Sequence, residues 1–277
     1  MKSINCKGKL LNLDEPVVMG IINATPDSFY EGHLKQNTVE IVSLAGKMIQ
    51  DGAAILDIGG LSTRPGSKPV SIQEETDRVL PVIEAIHEAY SEIILSVDTY
   101  NSAVAKPAVK QGAHIVNDIS GGNLDAEMLQ TVSALDVPYI CMHMQGTPET
   151  MQQSPVYNNV VKEVLDFFIA KIDACTKAGI KDIIIDPGFG FGKTIEHNFQ
   201  LLKELAVLGI TNKAILAGLS RKGTIYKTLG TTAANALNGT TVLNTMALLN
   251  GASILRVHDV KEAVEAVKLF NAYKKAP

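Results

Sequence analysis

Along this 277-residue chain, polar residues that could do chemistry interrupt apolar runs at intervals. Asp98 ends ILSVD, Asn117 and Asp118 sit in IVND, and Asp186 ends IIID. A carboxylate or amide inside an apolar run is costly unless it is satisfied. Brought into one mouth, Asp98, Asn117 and Asp186 would suit a flat heterocycle rich in N–H groups, held by paired hydrogen bonds. Bracing loops by capping the helices that follow is the plainer use of the same residues.

A second group is Asn23, Thr63, Arg64, Arg256 and His258. A guanidinium is a forked donor that fits phosphate oxygens. Two arginines with a histidine and neutral donors suggest an anion pocket for phosphate or pyrophosphate. Asn23 could add a carbonyl oxygen to a Mg²⁺ carried in with the substrate. Lys222, in LSRKG, could form a Schiff base, donate a hydrogen bond or hold an anion. The glycines of DPGFGFGK (186–193) look like a phosphate loop, but the segment starts with Asp-Pro at a strand end and lacks the P-loop pattern. His143 in CMHM reads first as a core histidine facing a backbone group, and only second as a ligand. His33, His87, His114 and His197 show no metal spacing.

These residues need elements to position them. Short β-branched runs read as eight strands: 17–23, 54–60, 93–99, 114–120, 138–144, 182–188, 213–219 and 253–259. Each is nearly continuously apolar at its start, as a parallel strand covered on both faces would be. Helical patterns follow at 71–90, 101–113, 125–136, 156–179, 197–208 and 260–275. Ser71 with Glu74 predicts a capping box, and Pro81 a kink or break in the same helix. Gly112, Gly179 and Gly251 fall where helices should end. Alternating βα units without a long linker predict a (β/α)8 TIM barrel, as one domain over 1–277. An open doubly wound sheet is the competitor. Residues 1–16 are expected to form a small hairpin that plugs the bottom. Barrel enzymes carry their chemistry at the C-terminal strand ends, which is where the polar residues above fall.

Composition narrows the field. Lysine and arginine number 25 and aspartate and glutamate 29, so the net charge is −4. That argues against a non-specific nucleic-acid binder. Hydrophobic residues make up 46%, which excludes disorder as the general state. Three scattered cysteines, Cys6, Cys141 and Cys175, form no CxxC pair; the last two read as small core hydrophobes. The start MKSINCKGKLLNLDEP has no signal-peptide core, and no run is long enough to span a bilayer, so a cytoplasmic protein is expected.

Taken together, the motifs resemble dihydropteroate synthases over nearly the whole chain. The segments that carry the resemblance are NATPDSF (23–29), DIGGLSTRPGS (57–67), SVDTY (96–100), GAHIVNDISGG (112–122), MHMQGTPETMQ (142–152), DPGFGFGKTIEHN (186–198), LSRKG (219–223) and RVHD (256–259). The resemblance implies an enzyme of folate synthesis and of the class that sulfonamides target. Its small-molecule substrates would be 6-hydroxymethyl-7,8-dihydropterin diphosphate and 4-aminobenzoate, with Mg²⁺, and its products 7,8-dihydropteroate and pyrophosphate. By likeness, Asp98, Asn117, Asp186 and Lys222 would hold the pterin, with Arg256 stacked over it. Asn23, Thr63, Arg64, Arg256 and His258 would hold the diphosphate, with Asn23 on the metal. Phe29, Pro65, Lys222 and Gly223 would line the 4-aminobenzoate pocket, and Asp27 would touch the incoming amine. The segments 24–33 and 62–70 correspond to the family's two mobile loops. A homodimer is also implied, with the apolar helix at 233–252 as one face for it.

The chemistry agrees with that implication. Cations neutralise a departing diphosphate. The pterin ring can delocalise positive charge at its methylene as the C–O bond breaks, and Asp98 would favour that charge. An SN1-like route needs no covalent intermediate, so Lys222 need not be a nucleophile. The loop YEGH (30–33) replaces the family's more usual SDGG and is expected to be stiffer, and two single positions depart from the pattern as well. Leu61 stands where glutamate is common, and Gly223 where serine is usual; the second predicts a weaker 4-aminobenzoate site. Alternatives are a pterin-binding methyltransferase barrel, a Schiff-base aldolase using Lys222, and a non-catalytic pterin-binding scaffold.

Overall fold

The computed structural model describes residues 3–24, 34–61, 70–148, 150–151 and 155–277, with the side chains of 34–37 excepted. The chain opens with a hairpin, β1 (Ser3–Cys6) paired antiparallel with β2 (Lys9–Asn12). Its turn is Lys7-Gly8, with φ of 51° and 90°. Two positive φ values are what a two-residue hairpin turn that matches strand twist requires.

The barrel follows: β3 (Val17–Asn23), α1 (Leu34–Gln50), β4 (Ile55–Gly59), α2 (Ile72–Ala89), β5 (Ile94–Asp98), α3 (Ser102–Gln111), β6 (Ile115–Asp118) and α4 (Met128–Leu135). It continues with β7 (Tyr139–Met142), α5 (Val160–Ala178), β8 (Ile183–Asp186), α6 (Ile195–Lys203), β9 (Ala214–Ala217), α7 (Gly223–Thr228), α8 (Leu237–Leu249), β10 (Ile254–Val257) and α9 (Val260–Lys275). Strands β3 to β10 pair in parallel, and β10 closes onto β3. This is the expected (β/α)8 barrel. All eight expected strands are present within their expected ranges, seven of them shorter than expected.

Side chains alternate along a strand, and here the alternation sorts the core into two. Met19, Ile55, Ile94, Ile115, Ile140, Ile184, Leu216 and Ile254 form one cluster with Ile4, Cys6, Leu11 and Leu13 of the hairpin segment. These residues fill the barrel from below, and the hairpin plugs it as expected. Their strand neighbours, among them Val18, Leu56, Leu95, Val116, Tyr139, Ile185 and Leu255, pack outward against the helices. Cys141 and Cys175 belong to this outer core, and all three cysteines are buried free thiols.

Local signals held with three corrections. Ser71 caps α2 by accepting from the Glu74 N–H at 3.1 Å, but the Glu74 carboxylate pairs with Arg78, so only half of the box forms. Pro81 does not break α2, which runs unbroken to Ala89. Proline 81 is on the exposed face, where the carbonyl that it leaves without a donor faces water. The helix expected at 197–208 divides into α6 and a 3₁₀ turn, Leu205–Thr211. Leu205 and Leu208 are both buried, and a three-residue repeat puts both on one side of a 3₁₀ helix. Gly112 and Gly179 end α3 and α5, and Gly251 follows α8, with φ of 127°, 97° and 97°.

Candidate active site

The inward positions turn polar two residues above the apolar floor. Asp57 follows Ile55, Ser96 follows Ile94, Asn117 follows Ile115, Asp186 follows Ile184 and Arg256 follows Ile254. The next inward positions reach Asn23, Asp98 and His258. Neighbouring strands are in register here: Asp57 is opposite Ser96, and Asp98 is opposite Asn117 and Gly59. The barrel mouth is thus a polar cup on an apolar plug.

Hydrogen bonds tie the cup together. Arg256 donates from Nε to Asp57 Oδ2 and from Nη2 to Asp98 Oδ2, each at 2.6 Å. Asn117 donates from Nδ2 to Asp57 Oδ2 at 3.0 Å. The Asn117 amide therefore has its orientation fixed, with its oxygen as the remaining acceptor. Burial pushes the Asp98 carboxyl up to about 7; Arg256 opposes the shift, while Asp57, Glu75 and Asp118 add to it. Asp186 is raised mainly by burial and held back by Lys222.

Lys222 enters from the loop after β9. Its Nζ donates to the Phe189 carbonyl at 2.5 Å and lies 4.7 Å from the centre of the Phe191 ring. Burial lowers its pKa to about 8. A Cβ on Gly218 would lie 3.6 Å from Lys222 Nζ and 3.9 Å from Asp186 Oδ2, so the two charged groups converge over a glycine. Gly223 is the first residue of α7, directly after Lys222. His258 is exposed at the rim, and its Nδ1 lies 3.0 Å from Ser220 Oγ. Asn23 is exposed at the end of β3. Asp98, Asn117, Asp186, Lys222, Arg256, His258, Asn23 and Gly223 therefore all fall at the C-terminal end of the barrel. Asp27, Phe29, Thr63, Arg64 and Pro65 lie outside the described residues.

Neighbouring polar residues take other roles. Asp118, next to Asn117, faces the outer layer, where it accepts from Tyr139 Oη at 2.6 Å and from the N–H groups of Ser120 and Gly122. It braces the loop and does not join the cup. Arg221 grips both oxygens of Asp259 at 2.8 Å and is held away from the cup. His143 is buried, as a core histidine should be, with its Nδ1 2.9 Å from Lys193 Nζ. Lys193 was missed. It is 3% exposed and also donates to the carbonyls of Gly188 and Phe191 at 3.0 Å. The lysine that looked like part of a phosphate loop thus fastens the segment that holds Lys222. Asp57 was missed as well, although it stands inside the apolar run ILDIG.

A closed parallel barrel with carboxylates, an amide and two cations in its mouth is a barrel enzyme of the heterocycle-binding kind. The family model described as "Pterin binding enzyme" matches residues 19–258. The dihydropteroate synthase of Escherichia coli strain K12 is 44% identical over 268 residues, which cover 96% of this chain and 94% of that protein. The structure of Yersinia pestis dihydropteroate synthase in a sulfonamide drug complex superposes with a TM-score of 0.94 at 40% identity, covering 99% of this chain and 100% of that one. That of Xanthomonas albilineans dihydropteroate synthase in complex with 7,8-dihydropteroate gives 0.89 at 38% identity, with both chains fully covered. The chain belongs to the dihydropteroate synthase family of pterin-binding enzymes. Among the described residues, no helix is long and apolar enough to cross a membrane.

Proposed function

We propose that this protein joins 4-aminobenzoate to 6-hydroxymethyl-7,8-dihydropterin diphosphate, releasing pyrophosphate and 7,8-dihydropteroate. The observation that carries the reading is the convergence of Asp98, Asn117, Asp186 and Lys222 from separate strand ends and loops onto one cup at the barrel mouth. Acceptors on Asp98, Asn117 and Asp186 suit the N–H-rich edge of a pterin, and Lys222 offers a donor to its ring acceptors. Arg256 would stack over the ring and reach toward the diphosphate.

At the rim, Asn23 and His258 would meet the diphosphate, joined by Thr63 and Arg64 from the STRPG segment. An amide oxygen on Asn23 is the hard donor that Mg²⁺ takes while keeping water and phosphate oxygens. Such an ion would neutralise charge on the departing diphosphate.

The C–O bond to the diphosphate breaks first. Positive charge then spreads from the methylene into the pterin ring, where Asp98 and Asp186 stabilise it. The neutral amine of 4-aminobenzoate attacks that carbon and loses its proton; by the family likeness, Asp27 would touch it. Phe29, Pro65, Lys222 and Gly223 would form the pocket for this second substrate, where a sulfonamide would compete. Excluding water protects the cation from capture.

The exposed Val242, Met246 and Leu249 on α8 support a homodimer through that face, which light scattering would test. Three buried free thiols fit a reducing compartment such as the cytoplasm. The test of function is a pyrophosphate-release assay with both substrates and Mg²⁺, beside Asp98→Asn. Dihydropteroate formed by the wild type and lost in the variant is expected. Pterin diphosphate bound without turnover would favour a scaffold, and no binding would overturn the reading.

A further inference from the structure

The mechanism above leaves Asp57 unused, yet it is fully buried under the mouth. One oxygen, Oδ2, accepts from both Arg256 Nε and Asn117 Nδ2, at 2.6 and 3.0 Å. The other, Oδ1, is buried with no partner among the described residues, as is Oγ of Ser96 opposite it in the sheet. A buried carboxylate with one oxygen unpaired is expensive for the fold, so its presence needs a reason beyond stability.

We infer that Asp57 is a positioning residue for the pterin site, acting through Asn117 and Arg256. Two consequences follow from its contacts. First, Asp57 settles the amide polarity of Asn117. With Nδ2 committed to Asp57, Asn117 turns an acceptor toward the cup, so Asp98, Asn117 and Asp186 all select for N–H groups on the same ligand. Without Asp57 the amide is free to present its NH₂ instead. Second, Asp57 holds Arg256 by its Nε edge, apart from the Nη2 that reaches Asp98. Asp98 can then exchange Arg256 for the heterocycle while Asp57 keeps the guanidinium in place. One carboxylate therefore sets both ligand polarity and the pivot of the arginine. The inference rests on the proposed pterin reading of the cup.

The test measures the affinity for 6-hydroxymethyl-7,8-dihydropterin diphosphate with Mg²⁺ by calorimetry, and KM for each substrate, in wild type, Asp57→Ala and Asp57→Asn. Asp57→Ala is expected to weaken pterin diphosphate binding about 10-fold or more, the scale of a lost charge-assisted hydrogen bond, and to leave KM for 4-aminobenzoate within about twofold. Asn at 57 offers one oxygen to the same two donors, so Asp57→Asn should recover most of the lost affinity. Should the alanine variant not fold, Asp57→Ser, too short to reach both donors, is read in its place. Unchanged pterin affinity in the alanine or serine variant overturns the role of Asp57. So does an equal loss at both substrate sites that follows a fall in thermal midpoint, which marks a purely structural residue. A wild type that binds no pterin diphosphate overturns the underlying reading of the cup instead, and the inference falls with it.

Discussion

Arg256 and Asp98 are 158 residues apart in sequence and are joined across the barrel mouth by a 2.6 Å hydrogen bond between Nη2 and Oδ2. The arginine therefore occupies one oxygen of a carboxylate proposed to hold the pterin. The contact would link the proposed pterin end of the cup to the proposed anion end, because the same arginine is proposed for both. It also compensates a carboxylate whose ionisation burial opposes.

Asp98→Asn tests that double duty. The variant should lose about 10-fold to 100-fold in kcat/KM for the pterin diphosphate, as expected for a hydrogen bond to a charged group. Stability should move the other way at high pH. The folded pKa of Asp98, about 7, lies above the ordinary unfolded value, so the fold binds its proton more tightly than the unfolded chain does. Wild-type stability from this group is full at pH near 4 and declines as pH rises toward 7. The asparagine variant lacks that decline. Its thermal midpoint relative to wild type should therefore rise between pH 5 and pH 8. A difference that stays constant over that range would contradict the assignment.

The pH profile of the wild type follows from two opposed shifts. An ionised Asp98 is the better acceptor, so kcat/KM for the pterin diphosphate should rise as pH passes about 7. A protonated Lys222 is the donor, so the same parameter should fall above about 8. A narrow bell with its maximum between these limbs is expected, the two limbs belonging to the coupled cup rather than to isolated groups. Borohydride with substrate present should not trap Lys222. Covalent reduction onto that lysine would revive the aldolase reading.

Gly223→Ser asks whether the departure from the family pattern matters. A Cβ at this position meets nothing closer than 3.6 Å, to Tyr226 Oη, and no positive φ opposes it. The serine therefore fits without strain. If it donates to the carboxylate of 4-aminobenzoate, KM for that substrate should fall several-fold, the scale of one hydrogen bond to a charge, with KM for the pterin diphosphate unchanged. A 4-aminobenzoate KM that does not fall would remove Gly223 from the pocket.

Much of this architecture is legible in the sequence because a parallel barrel strand leaves a plain signature. The floor-to-mouth order of Ile184 and Asp186, or of Ile254 and Arg256, is an apolar residue followed two places on by a polar one. What sequence hides is which side of the pleat a polar residue takes. Asn117 and Asp118 are adjacent, yet one joins the cup and the other grips Tyr139 in the outer layer. Asp57 has the same signature as Asp186, but its partners, Asn117 and Arg256, are 60 and 199 residues away. Lys193 is hidden for a different reason. Glycines and a lysine suggest a phosphate loop, whereas the lysine here turns inward to backbone carbonyls.

Lys193→Met addresses that last point. Lysine 193 ties the end of β7 to the loop after β8, through His143 and the carbonyls of Gly188 and Phe191. Methionine fills the space but leaves those carbonyls without a donor, at about 1–3 kcal/mol for each buried group unsatisfied. The thermal midpoint should fall by about 4–8 °C for a chain of this size if about 2 kcal/mol is lost. Because the loop supplies the Phe189 carbonyl and the Phe191 ring to Lys222, KM for the pterin diphosphate should rise as well. Leu11→Ala is the control at the opposite end of the barrel. Leu11 is 4% exposed in the plug, so its loss should cost about 2–5 kcal/mol of stability with both KM values kept. Equal kinetic effects from the two variants would mean that Lys193 acts through general loosening and not through the position of Lys222.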